Sequence, residues 1–247
     1  MTRDDLRFLL VQARNPDDPV QAEERLAFAT QIGVRTEQLV CADMLHGQLD
    51  VAMLSDVDCV LVGGSGEYSV LDDHAGIRGG IAFLGACAER GFPTFGSCFG
   101  FQALVVALGG TVIHDGDNAE VGTFWLEPTE EGLADPVFRA LPERFLAQEG
   151  HKDRASVLPT EVTNLARSPR APFQALKVDG QPVYATQFHP ELTGLAQSRR
   201  FKRYWDDYAH FFGEDEARRI LHGFAESPEA CALMTRFMDQ VLLGGEG

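Results

Sequence analysis

Short apolar runs alternate with stretches of helical spacing over the first half of the chain. Leu6–Ala13 is apolar apart from Arg7 and Gln12 and predicts a strand. Val20–Ile32 places Ala22, Leu26, Ala29 and Ile32 at three- and four-residue steps, the spacing of one helix face. Val34–Cys41 and Val57–Val62 predict two further strands, the second ending in Gly63-Gly64-Ser65-Gly66. Ile77–Arg90 predicts a helix closed by Gly91. Pro93–Ser97 predicts a short strand that runs directly into a helix over Phe99–Leu108, stopped by Gly109-Gly110. Strand and helix alternating at this interval imply an α/β fold. A doubly wound, mostly parallel central sheet with helices on both faces is expected.

The pattern changes after Thr111. Thr111–His114, Ala119–Glu127, Arg144–Gln148, Asn164–Arg167, Phe173–Val178 and Val183–Phe188 are strand-like runs broken by Gly, Pro and Asp. Few helices intervene, so hairpins that extend the sheet are expected. Helical patterning returns at residue 194. Ser227-Pro228 has the form of an N-cap followed by proline at the first helical position. Cys231, Met234, Phe237, Met238, Val241 and Leu242 then make one apolar stripe. The expected organisation is an α/β domain over residues 1–193 and a helical C-terminal extension over residues 194–247 packing on the same domain.

Composition narrows the function classes. The net charge of −16 removes any general electrostatic attraction for nucleic acid or an anionic membrane. No apolar run approaches a membrane span, and the polar start Thr2-Arg3-Asp4-Asp5 is not followed by a signal-like apolar segment. A cytoplasmic location is expected. The five cysteines are odd in number and scattered, without a Cys-x-x-Cys pair, so neither a disulfide framework nor a zinc site is expected. Cys41, Cys59, Cys87 and Cys231 lie among apolar residues and read as small buried hydrophobes.

Cys98 has different neighbours. Gly96-Ser97-Cys98-Phe99-Gly100 falls between a strand and a helix and is the cysteine form of a nucleophile elbow. The two glycines let a tight turn close, and the following helix directs its free amides at the sulfur, favouring the thiolate. The amide of Phe99 can face a developing oxyanion. A thiolate also needs a base and a group to orient that base. His189-Pro190-Glu191 follows a strand-like run, which places His189 and Glu191 just past a strand end, where open α/β sheets build their sites. The Gly63–Gly66 turn lacks either nucleotide-binding glycine pattern, and Gly64 fits better as a backbone oxyanion donor.

Together these segments resemble the class I (triad) glutamine amidotransferases, and among them stand-alone members similar to the glutaminase domain of GMP synthase. The matching residues are Gly96–Gln102, Gln187–Glu191 and Gly63–Gly66, with His151-Lys152-Asp153 and Leu158-Pro159 as a weaker fourth segment. The resemblance spans roughly residues 6 to 192. It implies a flavodoxin-like fold, no cofactor and no metal. It also implies a Cys98 γ-glutamyl thioester with His189 as base and acid, oriented by Glu191. Gln102, and with it Glu120 and Val121, would contact the substrate. Phe101 and Ser65 depart from the residues common in the family and border the pocket. The expected partners are L-glutamine or another γ-glutamyl compound, together with an ammonia-accepting synthetase. The rival readings are a γ-glutamyl peptidase acting on γ-glutamyl conjugates and a non-catalytic binding module. Arg199–Tyr208, the most basic and aromatic stretch, reads either as an amphipathic helix with a solvated face or as a docking surface or lid.

Overall fold

The computed structural model describes residues 2–245. Met1, Glu246 and Gly247, at the ends of the two expected units, lie outside the described residues. The chain runs through β1 (Phe8–Gln12), α1 (Val20–Ile32), β2 (Leu39–Asp43), β3 (Cys59–Val62), α2 (Ala75–Glu89), β4 (Thr94–Ser97) and α3 (Phe99–Ala107). It continues through β5 (Thr111–His114), β6 (Glu120–Pro128), α4 (Glu130–Ala134), β7 (Phe145–His151), β8 (Asp153–Val157), β9 (Val162–Arg167), β10 (Ala175–Val178) and β11 (Val183–Thr186). Four helices follow: α5 (Gly194–Arg203), α6 (Trp205–Phe212), α7 (Glu214–Gly223) and α8 (Pro228–Phe237).

Nine strands form one mixed sheet in the order β2-β1-β3-β4-β11-β10-β9-β6-β7. The pairings from β2 to β11 are parallel. Those from β11 to β7 are antiparallel, so the strands expected as hairpins extend the parallel half of the sheet by antiparallel pairing. β5 and β8 pair separately as an antiparallel ribbon.

Alternation along β1 shows how both faces are covered. Phe8 and Leu10 point into a core with Phe28 and Ile32 of α1 and Met234 and Phe237 of α8. Leu9 and Val11 point into the opposite core with Ile77 and Leu84 of α2 and Leu104 of α3. Phe237 is fully buried, edge-on to Phe95 at 5.2 Å and to Tyr184 at 5.7 Å between ring centroids. α5 to α7 pack a third, smaller cluster, with Phe201 and Ala217 against Val121 of β6. No helix among the described residues is long and apolar enough to cross a membrane.

Several local expectations are corrected. The strand expected over Val34–Cys41 begins only at Leu39, because Thr36–Gln38 form a turn of 3-10 helix. β2 is one of the two edge strands, and Cys41 on it is exposed rather than buried. Ser227 occupies the N-cap position of α8 without capping it, since its Oγ instead accepts from Gln148 Nε2 at 2.9 Å. The short helix α4 and the strand β8 add to the expected elements.

Candidate active site

Cys98 joins β4 to α3 with φ 51° and ψ −100°, and it is the only described non-glycine residue at positive φ. Such a backbone costs about 1–3 kcal/mol and persists only where the surroundings enforce it. Here they do. The Cys98 amide donates to Thr186 O at 2.8 Å, and Gln102 N donates to Cys98 O at 3.1 Å. The flanking glycines leave no room for side chains. A Cβ on Gly96 would stand 2.7 Å from the carbonyl carbon of Gly100, and one on Gly100 would stand 2.7 Å from Val62 O.

His189 follows β11, and its amide donates to Gln148 O at 2.9 Å. Its Nδ1 lies 2.7 Å from Glu191 Oε1, with both residues buried. That contact leaves Nε2 for the cysteine side. Gly64 lies against both residues, since a Cβ on it would stand 2.8 Å from His189 Cε1 and 3.7 Å from Cys98 Cβ. The structure therefore gathers Cys98, His189, Glu191 and Gly64 in one place. The amides of Gly64 and of Phe99, the first residue of α3, have no protein acceptor among the described residues.

Burial opposes a charge on His189, but attraction to Glu191 and then to Cys98 outweighs it, and the imidazolium is pushed up to about 9. Burial likewise works against ionised Glu191, and the neighbouring His189, followed by Arg200, brings its carboxyl below the ordinary value. The arrangement can hold an imidazolium–carboxylate pair against Cys98 at neutral pH.

Gln187 joins the site although the sequence pattern assigns it no separate role. Its Nε2 donates toward Cys98 Sγ at 3.8 Å, and its Oε1 accepts from Gln102 Nε2 at 3.2 Å. Gln102 also donates to Asp153 O at 2.8 Å. The available signal is the place of Gln187 two residues before His189, with its side chain directed to the same strand end.

A cavity of about 440 Å³ opens beside Cys98, and its walls include Phe99, Gln102, His151 and Lys152. Tyr204 and Tyr208, from the aromatic stretch expected as a solvated helix or a lid, form another wall. Phe201 stacks on Tyr208 at 4.4 Å and anchors that wall from below. Lys152 Nζ sits 4.3 Å from the ring centre of Phe211. Glu120 and Val121 do not line the cavity. The Glu120 carboxylate accepts from Gln174 Nε2 at 2.7 Å and Ser168 Oγ at 2.9 Å, and Val121 packs in the cluster under α5 and α7.

Comparison with known proteins gives a consistent picture. The profile of the family described as glutamine amidotransferase class-I matches residues 32–203, well over half of the chain. Over 101 residues the chain is 39% identical to a glutamine-hydrolysing GMP synthase from Thermosipho melanesiensis, taking in 41% of this chain and 19% of that protein. Over 104 residues it is 36% identical to one of the subunits of the glutamine-hydrolysing GMP synthase of Pyrococcus abyssi, taking in 42% of this chain and 53% of that one. These matches span about half or less of the relatives' own length. A glutamine amidotransferase from Thermotoga maritima shares the fold with a TM-score of 0.74 at 18% identity, over 96% of this chain and 98% of that one. A glutamine amido transferase from Methylobacillus flagellatus does so with a TM-score of 0.70 at 18% identity, over 98% and 96%. At that identity the likeness establishes the fold alone.

Proposed function

The chain belongs to the class I glutamine amidotransferase family, a family of enzymes, and on that premise we propose that Cys98 hydrolyses the side-chain amide of glutamine. The observation that carries this reading is the strained Cys98 elbow with the buried His189–Glu191 pair set against it across Gly64. The Cys98 thiolate attacks the amide carbon, forming the S–C bond. The oxyanion that develops faces the amides of Gly64 and Phe99. His189 gives its Nε2 proton to the nitrogen as the C–N bond breaks, and ammonia leaves. A water molecule then attacks the γ-glutamyl thioester while His189 takes its proton. Glutamate leaves and the thiolate is restored. Glu191 holds the imidazole in place and stabilises its charged form throughout. Gln102 contributes its Oε1 to the amino-acid end of the substrate, both Nε2 donors being engaged within the protein.

The test is release of glutamate and ammonia from glutamine, together with reaction of a glutamine-analogue electrophile at Cys98. Labelling elsewhere, or turnover surviving Cys98→Ala, overturns the proposal. The size of the cavity supports a second reading, γ-glutamyl conjugates in place of glutamine. A panel compared by kcat/KM separates the two, and the conjugate reading requires that bulky γ-glutamyl amides exceed glutamine. The likeness to a single subunit of a glutamine-hydrolysing synthase supports transfer of the ammonia to a synthetase partner. A cytoplasmic site of action is part of the same proposal.

A further inference from the structure

The register of β6 against β7 places Glu120 directly opposite His151. Glu149 lies two positions before His151 on β7, so all three side chains leave the same face of the ribbon. The side chains of Glu120, Glu149 and His151 are no more than 1% exposed. Their nitrogen and oxygen donor atoms lie within 4.8 Å of one another.

As a hydrogen-bonded cluster this arrangement is poorly satisfied. His151 Nε2 stands 3.3 Å from Glu120 Oε2 and 3.5 Å from Glu149 Oε2. One N–H cannot serve both, and each distance is long beside the roughly 2.7–2.9 Å of charge-assisted bonds. Both oxygens of Glu149 and the Nδ1 of His151 have no hydrogen-bond partner among the described residues. Two buried carboxylates facing a single imidazole call for a further positive charge.

We propose that Glu120, Glu149 and His151 bind one divalent transition-metal ion, with zinc the first candidate. Donors about 2 Å from a tetrahedral ion stand roughly 3.3 Å apart, close to the two separations from His151. One imidazole and two carboxylates suit zinc, manganese or iron(II) better than the all-oxygen ions magnesium and calcium. Ser168 Oγ and Gln174 Nε2 fix the Glu120 carboxylate through Oε2, the oxygen that also faces His151. His151 also lines the cavity beside Cys98, which supplies a route of entry. The strand between the ligands backs the candidate active site: a Cβ on Gly150 would stand 3.6 Å from His189 Nε2. The ion would hold that strand in place and take no part in bond breaking. The rival occupant is a proton on Glu149, whose carboxyl is pushed well above the ordinary value by burial and then by the charge of Glu120.

The experiment is zinc binding by equilibrium dialysis with elemental analysis, on the wild-type chain and on Cys98→Ser, Glu149→Gln and His151→Ala. Glu149→Gln keeps the shape of the protonated acid and so folds under either occupant. One equivalent is expected for wild type and for Cys98→Ser, with affinity at least 100-fold weaker in Glu149→Gln. A zinc-dependent rise in melting temperature is expected in the first two chains and not in the third. The cobalt form is expected to lack a thiolate charge-transfer band. Three results each overturn the proposal: absence of stoichiometric binding, binding undiminished by Glu149→Gln, or binding lost with Cys98→Ser. The last would place the ion at the cysteine. None of these readouts depends on turnover, so the site stands or falls independently of the proposed hydrolysis.

Discussion

His189 and Glu191, two positions apart across Pro190, meet at 2.7 Å between Nδ1 and Oε1 with both side chains buried. The contact fixes which imidazole nitrogen is left for Cys98, and it keeps a charge on the ring that burial alone would remove.

Replacing Glu191 with Gln keeps the shape and removes the charge. The imidazolium then loses its main stabiliser, and the alkaline limb of the kcat/KM profile for glutamine moves to lower pH. A loss of about 10²–10⁴-fold in kcat/KM is expected, the range for disabling an acid–base group or its orienter. An unshifted alkaline limb would show that another group sets it.

The same pair makes stability depend on pH. The folded His189 titrates near 9, above the ordinary histidine value of 6.5, so its contribution is fully present below 6.5 and is lost as pH rises through about 9. Glu191 is held below its ordinary 4.5, so its contribution is present above that pH and is lost as pH falls through the lowered value. Urea midpoints are therefore expected to decline on both sides, and the alkaline decline between 6.5 and 9 is expected to flatten in Glu191→Gln. An equally steep decline in the variant contradicts the assignment.

Cys98→Gly and Cys98→Ala separate function from strain. Both are expected to abolish turnover. Glycine accepts φ 51°, ψ −100° without a Cβ penalty, and it should gain stability of about 1 kcal/mol or more over alanine at this position. Equal urea stabilities for the two variants would mean that the elbow stores no strain.

Gly64→Ala tests the close approach behind His189. The added methyl group would meet the imidazole at 2.8 Å, so the ring must turn from its present line toward Cys98. A fall of at least about 100-fold in kcat is expected, in keeping with the cost of misplacing a reacting group by an ångström. A wild-type kcat would show that the ring adapts.

Phe237→Ala empties the space between Phe95 and Tyr184 and is expected to cost about 3–5 kcal/mol. If α8 and the sheet form one cooperative unit, as we propose for the C-terminal helices, one transition moves to lower denaturant. Two separate transitions would divide the extension from the sheet.

Some of this protein was determined within short stretches of sequence. Val20–Ile32 is legible as a helix from its own spacing, and Gly33 ends it at φ 74° by donating to Ala29 O and Thr30 O. Its buried face, however, runs through Val20, Glu24, Phe28, Ala29 and Ile32 and leaves Ala22 and Leu26 exposed. The elbow around Cys98 and the turn around Pro190 were legible for the same reason: a backbone shape confined to five residues needs glycine or proline at set positions. What crosses long sequence separations was decided only by the tertiary structure. β8 is short, polar at its start and paired with β5 away from the main sheet, so it lacks the apolar alternation by which a strand is read. Cys41 is exposed on β2, an edge strand, and no pattern within β2 records that place in the sheet. The wall formed by Tyr204 and Tyr208 depends on α5 and α6 folding back over a cavity built from residues far earlier in the chain. The burial of Glu120 beside Glu149 and His151 depends on the β6–β7 register. Local chemistry specifies turns and helices, whereas buried faces, edges, registers and cavities follow from packing the whole chain at once, and they set what can reach Cys98.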